Sequence, residues 1–409
     1  MASNSRKNKK AIIVNAHFSN RGDEAALRAI LDAMIAKSPE WNTEIMFKDK
    51  NEVSGFMYPD ISHFSCAFLP KSAISLLIAV LSKGKICKDE RLKNGIEHIL
   101  DSDLIVYSPG GGVLSDKFWW VKQLEYFMPF ICAKFYKIPI VVAAPSMGPF
   151  NTEKNILRNS FKKSILNSAD KLIVREAISE SYVKKLGVKN VAVTIDSAFY
   201  DDYYTHKESI ETVNKDEQLN QFLNKYKRVV GITAISYLWH IEDFKDETLP
   251  NRIEQSLKTF IGSLKEKNVG VLLIPQLFGN QDDTKLLEKY TSDNTFMLSN
   301  EYDTYAQQYV ISQLYALVGM RYHSNIFAAK TGVPFVAVSY EEKMTGFMID
   351  HNLTELMIPV KDISEELLLK KYGMIEEKHD SFEKQLKDKR EEFRELAKVT
   401  VDAVLSFMK

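Results

Sequence analysis

Residues 316–343 read ALVGMRYHSNIFAAKTGVPFVAVSYEEK. The opening ALVG is a short apolar run of strand character, and a helical stretch follows from about Ser324. Gly332 and Pro334 mark a turn into a second strand, GVPFVAVSY. Strand, helix, strand in that order is a βαβ unit, and such units build parallel sheets with helices on the faces.

The same alternation extends outward from this stretch. AIIVNA (11–16), DLIVYS (103–108), IPIVVAA (138–144), KLIVRE (171–176) and VAVTID (191–196) occupy the first half. RVVGITAI (228–235), VGVLLIPQ (269–276), ALVGMR and PFVAVSY occupy the second. Helical-period segments such as DEAALRAILDAMIAK and EAISESYVKKLG lie between strands. A chain of 409 residues fits roughly two domains of about 200 residues each. The expected fold is therefore α/β, with two Rossmann-like domains facing a central cleft. The expected divisions are an N-terminal domain over residues 1–205, a polar linker over 206–228, a C-terminal domain over 229–378 and an amphipathic helix over 379–409. In that last segment Phe382, Phe393, Leu396, Val399, Val401, Val404, Leu405 and Phe407 supply the apolar stripe. No internal repeat or low-complexity tract is visible.

Charge and cysteine content narrow the classes of function. Lys plus Arg and Asp plus Glu both number 54 and are interspersed, so no field of one sign is available to hold a nucleic-acid backbone. Three widely spaced cysteines, Cys66, Cys87 and Cys132, suit reduced thiols in a cytoplasmic setting better than a disulfide framework or a zinc site. The basic start MASNSRKNKK precedes only the short run AIIV, and no export is expected. The longest apolar stretch, SAISLLIAVLS from Ser72 to Ser82, falls short of the ~20 residues of a membrane span. With Lys71, Lys83 and Lys85 beside it, it reads either as a buried helix or as a segment lying peripherally on a membrane's inner face.

In open α/β sheets ligands bind beyond the carboxyl ends of the strands, so the chemistry is sought there. After the first strand, Asn20, Arg21 and Gly22 form a loop that enters a helix at Asp23; Gly22 permits a positive φ, and Asp23 and Glu24 suit the positive end of the helix dipole. Gly110, Gly111 and Gly112 follow another strand and let a backbone approach a ligand closely. Ser115 stands where the dinucleotide fingerprint needs its third glycine. Arg175 stands where a strand stops and a helix starts, either aimed at the crevice or paired with Glu176 or another carboxylate. Asp196 ends a strand as a cap, an anchor or a base. Phe118, Trp119 and Trp120 are either core aromatics or a stacking face for a sugar ring.

In the opening stretch, Arg321 and His323 sit on alternate positions, which in extended backbone share a side. The next helix contributes its positive N-terminus, and Lys343 lies just beyond the following strand. Together with Arg175 these make a cleft of three cations and a histidine, suited to a small, highly charged anion. Guanidinium groups grip phosphate or carboxylate bidentately, and a bound phosphate dianion favours the acid form of a nearby histidine.

NRGDEA (20–25), SPGGG (108–112), VREAISESYVKKLGV (174–188), IDSAF (195–199) and above all GMRYHSNIFAAKTGVPFVAVSYEEKMTGFM (319–348) resemble the polysaccharide pyruvyl transferase family, in the family's order over roughly residues 11–350. The resemblance implies a fold similar to the two-domain glycosyltransferase B type. It also implies transfer of the enolpyruvyl skeleton of phosphoenolpyruvate onto a sugar of a polysaccharide or lipid-linked precursor, as in exopolysaccharide or capsule, to form a pyruvate ketal. No metal and no organic cofactor are implied. By the same resemblance Arg175, Arg321, His323 and Lys343 bind phosphoenolpyruvate, and His323 is the catalytic acid. Asn20, Asp23, Gly111 and Gly112 form the acceptor side, with Asp23 as a base. Two readings compete: a glycosyltransferase of the same fold using a nucleotide sugar, with Glu341 or Glu342 gripping a ribose, and a non-catalytic saccharide-binding protein.

Overall fold

Strands that are apolar throughout demand cover on both faces of their sheet. The computed structural model, which describes residues 9–47, 58, 60–66, 72–236, 246–279 and 282–409, supplies that cover twice. By its contacts the chain divides into two compact units. The first takes the chain up to Phe18, Ala26–Tyr200 and Glu395–Lys409; the second takes Ser19–Ala25 and Asp201–Arg394. The first eight residues and Lys71 lie outside the described residues.

Among the described residues the first unit holds a seven-stranded sheet. Its strands are β1 (Lys10–Ala16), β2 (Asn42–Phe47), β3 (Ser62–Ser65), β4 (Leu104–Tyr107), β5 (Ile140–Ala143), β6 (Lys171–Val174) and β7 (Ala192–Val193), in the order β3-β2-β1-β4-β5-β6-β7. Every pairing is parallel. The second unit holds β8 (Val229–Thr233), β9 (Gly270–Leu273), β10 (Thr295–Met297), β11 (Ala316–Gly319), β12 (Phe335–Ser339) and β13 (Met357–Pro359), ordered β10-β9-β8-β11-β12-β13 and again parallel. In each sheet the chain reverses its direction of growth once, between β1 and β4 and between β8 and β11. Such switch points are where the loops diverge and leave room for a ligand.

Three segments take definite form. The 206–228 segment is folded, with helices Lys207–Asn214 and Glu217–Lys225, the second capped by the Asp216 carboxylate on Leu219 N–H. Its polarity reflects exposed helix faces. The C-terminal helical segment runs from Glu365 to Leu405 with a break at Lys378 (φ −126°, ψ 27°), so that one helix ends there and a second follows from His379. The SAISLLIAVLS run forms a short helix, Ala73–Leu81, capped at Ser72, but only Leu76, Ala79 and Val80 of it are buried.

The last fifteen residues return to the first unit. Val401, Val404 and Met408 are buried there in the cluster around Ile13, Leu27 and Ile30. Trp41 Nε1 donates to the Met408 carbonyl at 2.8 Å, and the Thr194 hydroxyl donates to the Leu396 carbonyl. Each such apolar side chain contributes roughly 1.5–3 kcal/mol on burial, so three approach the ~5–15 kcal/mol that holds a domain folded. A chain ending at Arg394 is expected to melt roughly 10–20 °C lower by circular dichroism; an unchanged midpoint would show that the return of the chain is not structural.

Candidate active site

The β11-to-helix turn is built from hydroxyl groups. Thr233 Oγ1, at the end of β8, accepts from Met320 N at 3.1 Å and Arg321 N at 3.2 Å and shares a 2.8 Å bond with Ser324 Oγ. Ser324 Oγ also bonds to the Arg321 carbonyl at 2.7 Å, and Asn325 Nδ2 donates to the carbonyls of Gly319 and Arg321. A Cβ on Gly319 would fall 2.1 Å from Asn325 Oδ1, so this strand must end in glycine. The result is a tight strand-to-helix turn whose helix, Tyr322–Thr331, starts two residues earlier than its sequence suggests.

That start corrects the placement of the two opening residues. Arg321 is extended (φ −78°, ψ 131°) and is the N-cap, whereas His323 is the second helical residue, so they do not alternate along a strand. No side chain caps the helix. Tyr322, His323 and Ser324 are all buried. An uncapped, buried helix start presents N–H groups and a partial positive charge, the physical basis of an anion site.

Arg321 is 9 % exposed and tied to Asp283. Its Nε donates to Asp283 Oδ2 at 3.0 Å and its Nη2 to Oδ1; Nη1 makes no hydrogen bond among the described residues. Burial works against the guanidinium charge, but the Asp283 carboxylate, together with Tyr340 and Glu341, outweighs it and holds the pKa above the ordinary arginine value. Lys343 lies within the first turn of the helix Glu342–Asp350, paired with Glu341 at 2.6 Å, and its Nζ sits 5.7 Å from the Tyr322 ring centroid. Tyr322 in turn meets His323 edge to face at 4.9 Å. The second unit thus brings Arg321, His323 and Lys343 together. The two cations are not bare, since each carries a carboxylate partner.

The turn Ser19–Ala25 belongs to this same unit and not to the strand it follows. Asn20 pairs with Leu277 in an antiparallel bridge, Arg21 N donates to the Gln276 carbonyl at 2.9 Å, and Phe278 N donates to the Ser19 carbonyl at 2.9 Å. Asn20 Oδ1 accepts from Gly22 N at 2.9 Å and from Asp23 N at 3.4 Å, capping the helix Arg21–Lys37. Gly22 is helical, so the expected positive φ is corrected; the absence of a side chain serves close approach. A Cβ there would lie 1.8 Å from Cγ and 1.9 Å from Nδ1 of His323. Glu24, fully buried, receives Arg21 Nη1 at 2.8 Å and Thr304 N at 3.4 Å. Asp23 is half-buried in the same turn.

The first unit holds the other candidates. Arg175, following β6, is buried; its Nε donates to Ser146 Oγ at 2.8 Å, its Nη1 lies 2.5 Å from Asp196 Oδ2, and Glu176 stands 3.5 Å away. Asp196 also caps a one-turn helix through Ala198 N at 2.9 Å. Of the two readings of Arg175, carboxylate pairing is what this unit displays, and Asp196 is its anchor. Gly112 takes φ +67° with open space where a Cβ would be, so that loop needs glycine for its backbone. The cavity bordered by Asn15, Tyr107 and Glu125 leaves only about 20 Å³ for a water centre, too little for a sugar ring. Phe118 packs on Tyr126 and Trp120 on Phe161, whereas Trp119 is exposed.

Residues 20–342, from the Asn20 cap to the residue before Lys343, match the family model described as polysaccharide pyruvyl transferase. The chain belongs to the polysaccharide pyruvyl transferase family. It is a transferase of polysaccharide biosynthesis by that membership. The amylovoran biosynthesis protein AmsJ of Erwinia amylovora is 21 % identical, covering 97 % of this chain and 99 % of that protein. The fold is shared more widely. A UDP-GlcNAc 2-epimerase from Neisseria meningitidis, bound to UDP-GlcNAc, superposes with a TM-score of 0.60 at 12 % identity over 97 % of this chain and all of that one. An α,α-trehalose 6-phosphate synthase from Burkholderia multivorans gives 0.56 at 10 % identity, covering 98 % of both chains. These likenesses place the pyruvyl transferase chain among proteins of the glycosyltransferase B type in fold alone.

Sequence reasoning missed Asp283, Thr233 and Gln276, and read Glu24 and Ser324 only as residues of a helix start. Asp283 follows the N-cap Asp282 at the start of the short helix Asp283–Leu287, with no local sign that it meets an arginine 38 positions on. Gln276 is 1 % exposed with neither amide atom bonded among the described residues.

Gly22 gives the sharpest test of this geometry. Alanine is the better helix former by ~1 kcal/mol, so a purely local effect of Gly22→Ala would be stabilising. The overlap with the His323 ring should reverse the sign and cost about 1–3 kcal/mol in urea unfolding; a stabilised variant would mean that the ring moves aside freely.

Proposed function

We propose that the second unit binds phosphoenolpyruvate and that the protein transfers its enolpyruvyl skeleton to a sugar of a polysaccharide precursor, forming a pyruvate ketal. The observation that carries this reading is the buried, uncapped helix start with His323 in its first turn, Arg321 as its N-cap and Lys343 close by. Phosphoenolpyruvate carries a phosphate and a carboxylate on three carbons. Backbone N–H groups at a helix start suit the phosphate, and a guanidinium with a spare N–H suits either anion. Because Arg321 and Lys343 are already paired, the net attraction falls to the helix start and to whatever exchange of partners the ligand induces.

In the proposed sequence, His323 gives a proton to the methylene carbon, which becomes the methyl group, and positive charge develops at the central carbon. A sugar hydroxyl adds there, passing its proton to Asp23, which returns it to the histidine. The carbon–oxygen bond to phosphate then breaks, and a second hydroxyl adds to the cation formed; its proton leaves with the phosphate. The product is a cyclic ketal with its carboxylate intact. Protonation by a positioned acid is worth about 10²–10⁴-fold, and fixed dipoles facing the developing charge contribute a comparable or larger factor. The proposed chemistry calls for no metal and no organic cofactor.

Calorimetric titration with phosphoenolpyruvate and, separately, uridine diphosphate tests the donor. Native protein should bind phosphoenolpyruvate selectively, Lys343→Ala should bind it at least tenfold more weakly, and His323→Ala should bind it nearly as well. Lys343 is preferred to Arg321 because removing the arginine would leave Asp283 buried without its partner, at a cost of about 3–5 kcal/mol. In His323→Ala, phosphate release in the presence of precursor saccharide should fall roughly 10²–10⁴-fold. Binding of the nucleotide in place of phosphoenolpyruvate would identify a nucleotide-sugar transferase and end this reading.

A further inference from the structure

We propose that the first unit docks on an anionic lipid surface through the helix Ala73–Leu81 and the turn that follows it. The helix has two apolar stripes. Leu76, Ala79 and Val80 are at most 1 % exposed. The opposite stripe, Ile74, Leu77, Ile78 and Leu81, is 39–71 % exposed, and Ile86 just beyond it is 71 % exposed. Those four positions follow the i, i+3, i+4, i+7 spacing of one helix face.

The buried stripe fixes the helix in place. It packs against the helix Trp120–Tyr136, whose Tyr136 hydroxyl donates to the Val80 carbonyl at 2.8 Å, and Cys66, Leu76, Val80 and Phe130 share one core cluster. Ser72 and Ser75 close a reciprocal capping box at its start. The exposed stripe is therefore presented by a rigid element. Phe135, on the supporting helix, is itself half exposed.

Charge selects the partner. Between Ser72 and Lys88 the chain carries Lys83, Lys85 and Lys88 and no acidic residue. Lys83 stands over the Tyr136 ring, 5.4 Å from its centroid. A protein partner would call for aromatic or arginine anchors and matched hydrogen bonds at the centre of the patch. This stripe is aliphatic, with cations at one end, which is the composition of a segment lying at the boundary between headgroups and acyl chains. Its length rules out insertion across the bilayer, and no helix among the described residues is long and apolar enough to cross a membrane. Docking deepens the proposed function, since a saccharide carried on a lipid would be met at such a surface, and its purpose rests on that reading although its test does not.

Co-sedimentation of the full chain with vesicles decides the matter. Vesicles of phosphatidylglycerol and phosphatidylcholine should carry the protein down, and vesicles of phosphatidylcholine alone much less. The combined variant Ile74→Ser, Leu77→Ser, Ile78→Ser, Leu81→Ser should lose at least tenfold in partition, and Lys83→Glu with Lys85→Glu should remove the salt-sensitive part. Phosphoenolpyruvate titration of the same variants separates the two ideas: retained donor binding with lost partition supports docking, and it proceeds whether or not the donor reading holds. Native protein left in the supernatant, or partition unchanged in the serine variant, would overturn the proposal. So would a native dimer, seen by analytical ultracentrifugation, that the serine variant dissociates, since the stripe would then belong to a second copy.

Discussion

The second unit is organised around one carboxylate. Asp283 accepts from Gln276 N at 3.1 Å, from Leu277 N at 2.9 Å and from two nitrogens of Arg321. By fixing the Gln276–Leu277 backbone it shapes the edge on which Asn20 and Arg21 pair, which sets Gly22 against the His323 ring. By fixing Arg321 it holds the residue from which the His323 helix begins. One side chain therefore braces the histidine from both sides. Backbone N–H groups and the guanidinium together saturate it, and this is the condition under which a carboxylate in a protein interior is tolerated.

The two units solve the problem of a strand-end arginine in the same way. Arg175 after β6 meets Asp196, and Arg321 after β11 meets Asp283. A buried guanidinium alone is prohibitively costly, and a bidentate or doubly bonded carboxylate offsets the desolvation only when the geometry is good. Pairing has a functional consequence, because a neutral pair attracts an anion weakly at long range. For the anionic donor proposed above, attraction must then come from elements that cannot be neutralised by a neighbour's side chain. The uncapped start of the Tyr322–Thr331 helix is such an element: the hydroxyls of Thr233 and Ser324 satisfy the turn that precedes it, so that the helix needs no side-chain cap to be stable.

Much of this was legible in the sequence, for identifiable reasons. Runs such as LIVY and ALVG are buried on both faces, so their apolar continuity, together with the helical segments between them, specifies parallel sheets. The proximity of Arg321, His323 and Lys343 was legible because all three follow neighbouring strands of one parallel sheet. What stayed hidden depends on distance in sequence. No local pattern tells that Asp283 meets Arg321, or that the Ser19–Ala25 turn packs with the second unit and leaves the first at Phe18. Gly22 was read for its backbone freedom because that is the commoner use of glycine; its true neighbour lies some 300 positions on. The Ala73–Leu81 helix is apolar on all sides, so its periodicity cannot tell which face is covered.

Gly22, Gly319 and Asn325 show how close packing positions the histidine and the turn before it. Gly319 admits Asn325, whose amide ties the strand end to the helix start, and Gly22 admits the imidazole ring. Both glycines are positions where the void left by a missing side chain is filled by a partner, so packing density is kept and rotational freedom is removed. For the acid proposed above, a steric contact such as that of Gly22 with the ring has the advantage that it does not change with protonation state.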